Sequence, residues 1–154
     1  MTLEVFRDPD DATLAHPLLV RLGRYWRSCR DGDRLPARVA IDPAAIVPVL
    51  PHVILIDVHG AGQYRYRLVG TSVADRFGHD VTGEPVDKSW LGPDWPAVRR
   101  DFDYVVQQRR PCMTRGTMRL SGEIAPVAYR RLLLPLASDG ETVDVLIGAI
   151  IFEG

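Results

Sequence analysis

The pattern of apolar residues predicts an α+β domain built on an antiparallel sheet. Three observations carry this reading. Two β-rich runs separated by a glycine turn lie before residue 70, and three more close the chain. Between the two groups stand a region broken by glycine and proline and a single longer amphipathic helix. Strands gathered at both ends around helices pair through hairpins, whereas a parallel sheet would alternate strand and helix along its whole length. At 154 residues the chain fits one domain, because two would each be small for a self-sufficient core.

The first element is a helix over residues 13–29. Leu14, Leu18, Leu22 and Trp26 recur every fourth residue and form an apolar stripe. Asp10, Asp11 and Thr13 supply capping oxygens, and Asp31-Gly32 stops the helix. Residues 1–33 therefore form an N-terminal helical extension, ahead of a main body at residues 34–154. Asp42-Pro43 opens a short helix, with Asp42 as its cap and Pro43 in the first position. Residues 52–58 and 63–69 then make a hairpin about the turn at residues 59–62. On its second strand Tyr64 and Tyr66 share one face, and Arg65 and Arg67 the other.

Residues 70–91 carry Gly70, Gly78, Gly83 and Pro85 and suit short helical turns. A helix follows over residues 94–109, its stripe made by Trp95, Val98, Phe102, Val105 and Val106. Pro111 ends it. Strands at residues 112–120, 125–136 and 142–152 complete the order, with Ser138-Asp139-Gly140 turning between the last two.

Charge and composition exclude several classes. A formal net charge of −1, with arginines in scattered pairs, gives no basic tract for nucleic acid. Two cysteines, Cys29 and Cys112, build no disulfide framework and have no metal-type spacing. The acidic N-terminus lacks the pattern of a secretion signal, and no apolar run is long enough to span a membrane. These features predict a soluble, cytoplasmic chain.

A set of short motifs runs through the chain in order. They are Leu35-Pro36, Ile41-Asp42-Pro43, Leu50-Pro51, Tyr66-Arg67-Leu68-Val69-Gly70-Thr71, Gly78-His79-Asp80-Val81-Thr82-Gly83, Leu134-Pro135-Leu136 and Asp139-Gly140. With the order of elements they resemble the bacterial single-domain PAS family that begins with a long amphipathic helix. The resemblance implies a five-stranded antiparallel sheet with helices on one face, an extra N-terminal helix, and a pocket between sheet and helices. It further implies a sensory or protein-interaction role. The ligand stays open, because PAS domains bind many small molecules and some bind none.

The residues themselves show no assembled catalytic site. No nucleophile motif or phosphate-cradling glycine loop is present. Asp101 and Asp103, two apart on a helix, point in different directions and read as solvated. Haem and flavin are unsupported: His79 is the best single axial-ligand candidate, and neither cysteine sits in a photochemical motif. Candidate ligand-binding residues are Arg67, Trp90, Met113, Tyr129 and Arg131. An arginine pointing inward demands an acidic partner or an anionic ligand group, and Asp57 on the neighbouring strand is a partner for Arg65 or Arg67. The stripe Leu14, Leu18, Leu22 and Trp26 either packs on its own sheet or pairs with a second subunit. The reading is thus a non-catalytic sensor that binds a small molecule, a protein partner or a second copy. Its alternatives are a ligand-independent scaffold and a small cone-shaped enzyme similar in outline to ketosteroid isomerases.

Overall fold

The computed structural model describes residues 3–120 and 122–153, and for Trp90 the backbone alone. The strands are β1 (Glu4–Arg7), β2 (Val53–Gly60), β3 (Gln63–Val69), β4 (Cys112–Met118), β5 (Val127–Leu136) and β6 (Val145–Glu153). The helices are α1 (Asp11–Leu14), α2 (Pro17–Ser28), α3 (Thr71–Phe77), α4 (Lys88–Leu91) and α5 (Trp95–Gln108). Every strand pairing is antiparallel, and the order across the sheet is β1-β4-β5-β6-β2-β3. Five of these strands are those the sequence predicts. The sixth, β1, adds four N-terminal residues to the outer edge of β4.

The two faces of the sheet differ. Side chains alternate across a strand, so Tyr129 and Arg131 of β5 point one way and Leu132 the other. Helices α3, α4 and α5 cover the Tyr129 face, where Phe77 of α3 meets Phe152 of β6 edge-on at 6.3 Å. Helix α2 covers the opposite face, and a Cβ added at Gly23 would sit 3.9 Å from the Leu132 side chain. The helix buries Leu19, Leu22 and Trp26, Leu14 of α1 is buried beside them, and Leu18 is partly buried. The Trp26 indole N–H donates to the Pro135 carbonyl at 2.8 Å, satisfying the polar atom of the largest buried side chain. The stripe is therefore covered within its own chain.

The long N-terminal helix is broken in two. Ala15 adopts a left-handed conformation (φ 54°) and ends α1, and His16 is extended and caps α2 by accepting from the Leu18 N–H. Pro17 causes the break, because the ring disfavours helical geometry in the residue before it. The Asp42 cap forms as expected, accepting from the Ala44 N–H at 3.0 Å, but the segment it opens, Pro43–His52, is a kinked 3₁₀ run. Pro48 and Pro51 remove the N–H groups that an α-helix would use. At the start of α3, any side chain on Gly70 would run into the Leu50 and Pro51 carbonyls, which fixes glycine at that junction.

Replacing the buried Trp26 with alanine removes its packing and its hydrogen bond together, for a cost of about 3–5 kcal/mol. Urea denaturation of Trp26→Ala measures it. Since the stripe packs inside one chain, the loss is the same at low and high protein concentration.

Candidate functional site

Between the α5 face of the sheet and the helices lies a cavity of about 180 Å³. Its floor is Ile54 of β2, Tyr66 of β3, Tyr129 and Arg131 of β5, and Ile150 of β6. Phe77, Leu91, Ala97, Val98 and Phe102 close it from the helical side, and Thr117, Met118 and Leu120 from the end of β4. The lining is thus mostly aliphatic and aromatic, with a few polar groups converging on one wall, as small-molecule sites commonly are.

The polar wall centres on Arg131, whose Nη2 donates to Asp101 Oδ2 at 2.7 Å. The side chains are 5% and 4% exposed, so the pair is buried on both sides. The same carboxylate oxygen accepts from the Thr114 hydroxyl at 2.7 Å. The register explains the meeting, because Thr114 stands opposite Arg131 across β4 and β5. Asp101 reaches down from α5, three residues after Val98 and four before Val105, on the helix's inward side. The guanidinium also lies 5.6 Å from the Phe102 ring centroid and 5.9 Å from that of Tyr129. Its Nε is buried with no hydrogen-bond partner among the described residues, so part of the donor fork is uncommitted.

Burial raises the Tyr129 phenol above its ordinary pKa, with the Arg131 charge opposing. The hydroxyl is therefore protonated at neutral pH and able to donate. Burial likewise pushes the Cys112 thiol up to about 11. At the outer end of α5, Tyr64 donates a hydrogen bond to Asp103, and Arg99 approaches the same carboxylate at 3.5 Å. Tyr64 packs edge-on against Phe102 at 5.0 Å, and burial raises its phenol well above the usual range.

These contacts correct the reading of the two aspartates as solvated. Asp101 is in the core and Asp103 is half-buried. The helical spacing contained the signal, since Asp101 falls within the Val98–Val105 stripe. Of the candidate ligand residues, Tyr129 and Arg131 come together on the cavity wall. Arg67 does not join them. It is 48% exposed and pairs with Asp57 at 3.1 Å, on the outer face that it shares with Arg65, away from the buried Tyr64 and Tyr66. Met113 is fully buried but stands opposite Leu132, on the α2 face, and does not line the cavity. The side chain of Trp90 lies outside the described residues.

The described lining contains neither cysteine nor histidine, so it supplies neither a thiol for a flavin adduct nor an imidazole for haem iron. His79 is exposed and pairs with Glu84 at 3.2 Å. Among the described residues no group of three His, Cys, Asp or Glu side chains could hold a metal ion. No described helix is long and apolar enough to cross a membrane.

An antiparallel sheet holding an apolar cavity beneath short helices and one longer helix is the architecture that the sequence motifs imply. The PAS domain family matches residues 14–151, and the chain belongs to it. It is a family of sensory signalling modules. Among solved structures, the chain is similar to the LOV protein of Rhodobacter sphaeroides, with 14% identity and a TM-score of 0.54 over 67% of this chain and 59% of that one. It is similar to an RNA-binding light-oxygen-voltage receptor at 12% identity and a TM-score of 0.56, covering 98% of this chain and 38% of that one. The PAS domain of Bordetella pertussis BvgS matches at 20% identity and a TM-score of 0.51, over 70% and 82% of the respective chains. At these identities the likeness concerns the fold alone, and the chain spans less than two thirds of each of the first two structures. No curated protein matches the chain.

Two expectations follow from the buried groups. Arg131→Met strands the Asp101 carboxylate and costs about 3–5 kcal/mol in denaturant melts, whereas the double change Arg131→Met/Asp101→Leu recovers most of that loss. At pH 8, iodoacetamide modifies Cys29 in the folded protein and spares Cys112 until denaturant is added, as peptide mass spectrometry reads directly. The Cys112 folded pKa of about 11 lies above its ordinary 9.0. The stability contributed by the neutral thiol is therefore full below pH 9 and is lost as pH rises through about 11.

Proposed function

We propose that this PAS domain is a sensor that works by binding a small molecule in the cavity under α5, without catalysis, and passes the signal to a protein partner or a second copy. The observation that carries the reading is the partly empty, mainly apolar cavity of about 180 Å³ with a buried arginine at its wall. An apolar cavity of about 150 Å³ is enough to hold benzene, so a guest of that order fits without rearranging the core.

Two features support binding over catalysis and suggest how occupancy is felt elsewhere. The buried carboxylate of Asp101 is already engaged by Arg131 and Thr114, which leaves no free buried base among the described lining residues. Helix α5 forms one side of the cavity and ends at Arg109, whose Nη2 donates to the Asp33 carbonyl at 2.9 Å and the Gly140 carbonyl at 3.1 Å. Arg34 adds a hydrogen bond to the Asp139 carbonyl at 2.7 Å. A guest that shifts α5 thereby acts on the junction of the N-terminal segment with the β5–β6 turn. Such a shift requires the guest to bind one arrangement better than the other.

Native mass spectrometry of the purified protein, set against its denatured mass, tests the reading. A reproducible non-covalent adduct is expected, and Ala97→Leu, which fills the cavity from α5, abolishes it while raising stability by roughly 0.5–2 kcal/mol. An adduct that survives in Ala97→Leu puts the ligand elsewhere. A bare protein in which Ala97→Leu is destabilising favours the scaffold.

A further inference from the structure

The charges around the cavity narrow the class of guest. Among the described lining residues four are charged: the acids Asp94 and Asp101 and the arginines Arg119 and Arg131. The lining is therefore balanced. The one guanidinium buried in the wall is neutralised at 2.7 Å by Asp101. A carboxylate guest would bring a further buried negative charge next to Asp101. The other arginine of the lining, Arg119, is exposed and so meets that charge only at the solvent-facing rim, while an ammonium guest would face the Arg131 charge. The spare capacity lies in hydrogen bonding. Only Nη2 of Arg131 has a hydrogen-bond partner among the described residues, and Nε is buried without one. The Tyr129 hydroxyl, on the same wall, takes no hydrogen bond among the described residues and is held protonated by burial. Both groups donate, and both stand beside an otherwise aliphatic and aromatic lining that also includes Ile54, Val98 and Ile150.

We propose that the cavity takes a neutral molecule of about one ring in size, carrying a single hydrogen-bonding oxygen that meets Arg131 and Tyr129. Amides, ketones and phenols are members of this class. The assignment rests on the sensor reading above and adds the charge state and polarity of the ligand. Asp101 is then the group that sets selectivity, since it cancels the arginine and so excludes anions.

Toluene, benzamide and benzoate, similar in size and different in polarity and charge, are titrated into the protein at pH 7 and followed by methyl NMR of Ile54 and Ile150. Benzamide is expected to bind at least about tenfold more tightly than benzoate, because burying an unpaired charge is costly. Tyr129→Phe weakens benzamide about threefold to tenfold, the worth of one hydrogen bond, and leaves toluene unchanged. Asp101→Asn frees the arginine charge and reverses the order, so that benzoate becomes the tighter guest. If that variant does not fold, the wild-type order and Tyr129→Phe still decide. Benzoate binding more tightly than benzamide to the wild type overturns the neutral class but keeps the cavity as a ligand site. Benzamide binding no better than toluene overturns the polar recognition. Failure of all three probes to move the Ile54 and Ile150 methyls overturns the sensor reading itself.

Discussion

The ion pair between Arg131 and Asp101 is the constraint around which the helical face of the sheet is arranged. It is the only place among the described residues where two buried side chains of opposite charge join a helix to a strand. Removing two ions from water is expensive, and their attraction offsets the cost only when geometry is good and the remaining hydrogen bonds are met. Thr114 supplies one such bond, and the rings of Phe102 and Tyr129 flank the guanidinium. The pair thus demands that α5 sit at one height and rotation above β4 and β5. An all-aliphatic contact would tolerate free sliding, whereas this one sets the resting position of α5 and confines its adjustment to shifts that keep the pair joined.

The opposite face is built on different terms. There α2 lays Leu19, Leu22 and Trp26 on aliphatic side chains of the sheet, pinned by the indole hydrogen bond to Pro135. This side is a closed apolar core, and the α5 side keeps unfilled volume. A sheet with one fully packed face and one incompletely packed face can hold its shape while the helices over the looser side adjust. Close packing resists small changes, so movement is directed toward α5 and its C-terminal contacts.

Much of this was legible in the residues, and the failures have physical causes. Hairpin β2–β3, helix α5 and the three closing strands follow from period-2 and period-3.6 patterns that burial enforces. Asp101 was misread because it was compared with Asp103 and not with Val98 and Val105, whose helical phase it shares. Arg67 keeps the parity of Arg65, and the bulge beside it instead leaves Leu68 exposed and Val69 buried, which no single-strand pattern reveals. Met113 failed for the related reason that Cys112, Thr114 and Gly116 take the inward positions of β4. The break at Ala15 was readable from Pro17, but the leucine stripe continues through it and masks the interruption. Strand β1 is too short for any periodicity, and its identity depends on the β4 edge it joins.

That short strand has a consequence for how the protein behaves in company. Without β1, the seven residues of β4 would present an open row of backbone donors and acceptors at the sheet's margin, a template for any passing strand. The chain covers the first four residues of that row, Cys112 to Arg115, with a strand that carries Glu4 and Arg7 at its ends and salt-bridges Glu4 to Arg115 at 3.9 Å. The segment preceding the helices therefore replaces part of the long β4 edge with a short one bounded by charged residues, the kind of margin that discourages strand addition. Any process that peels it away, whether cleavage or competition by another strand, exposes the whole length of β4 as the sheet's margin.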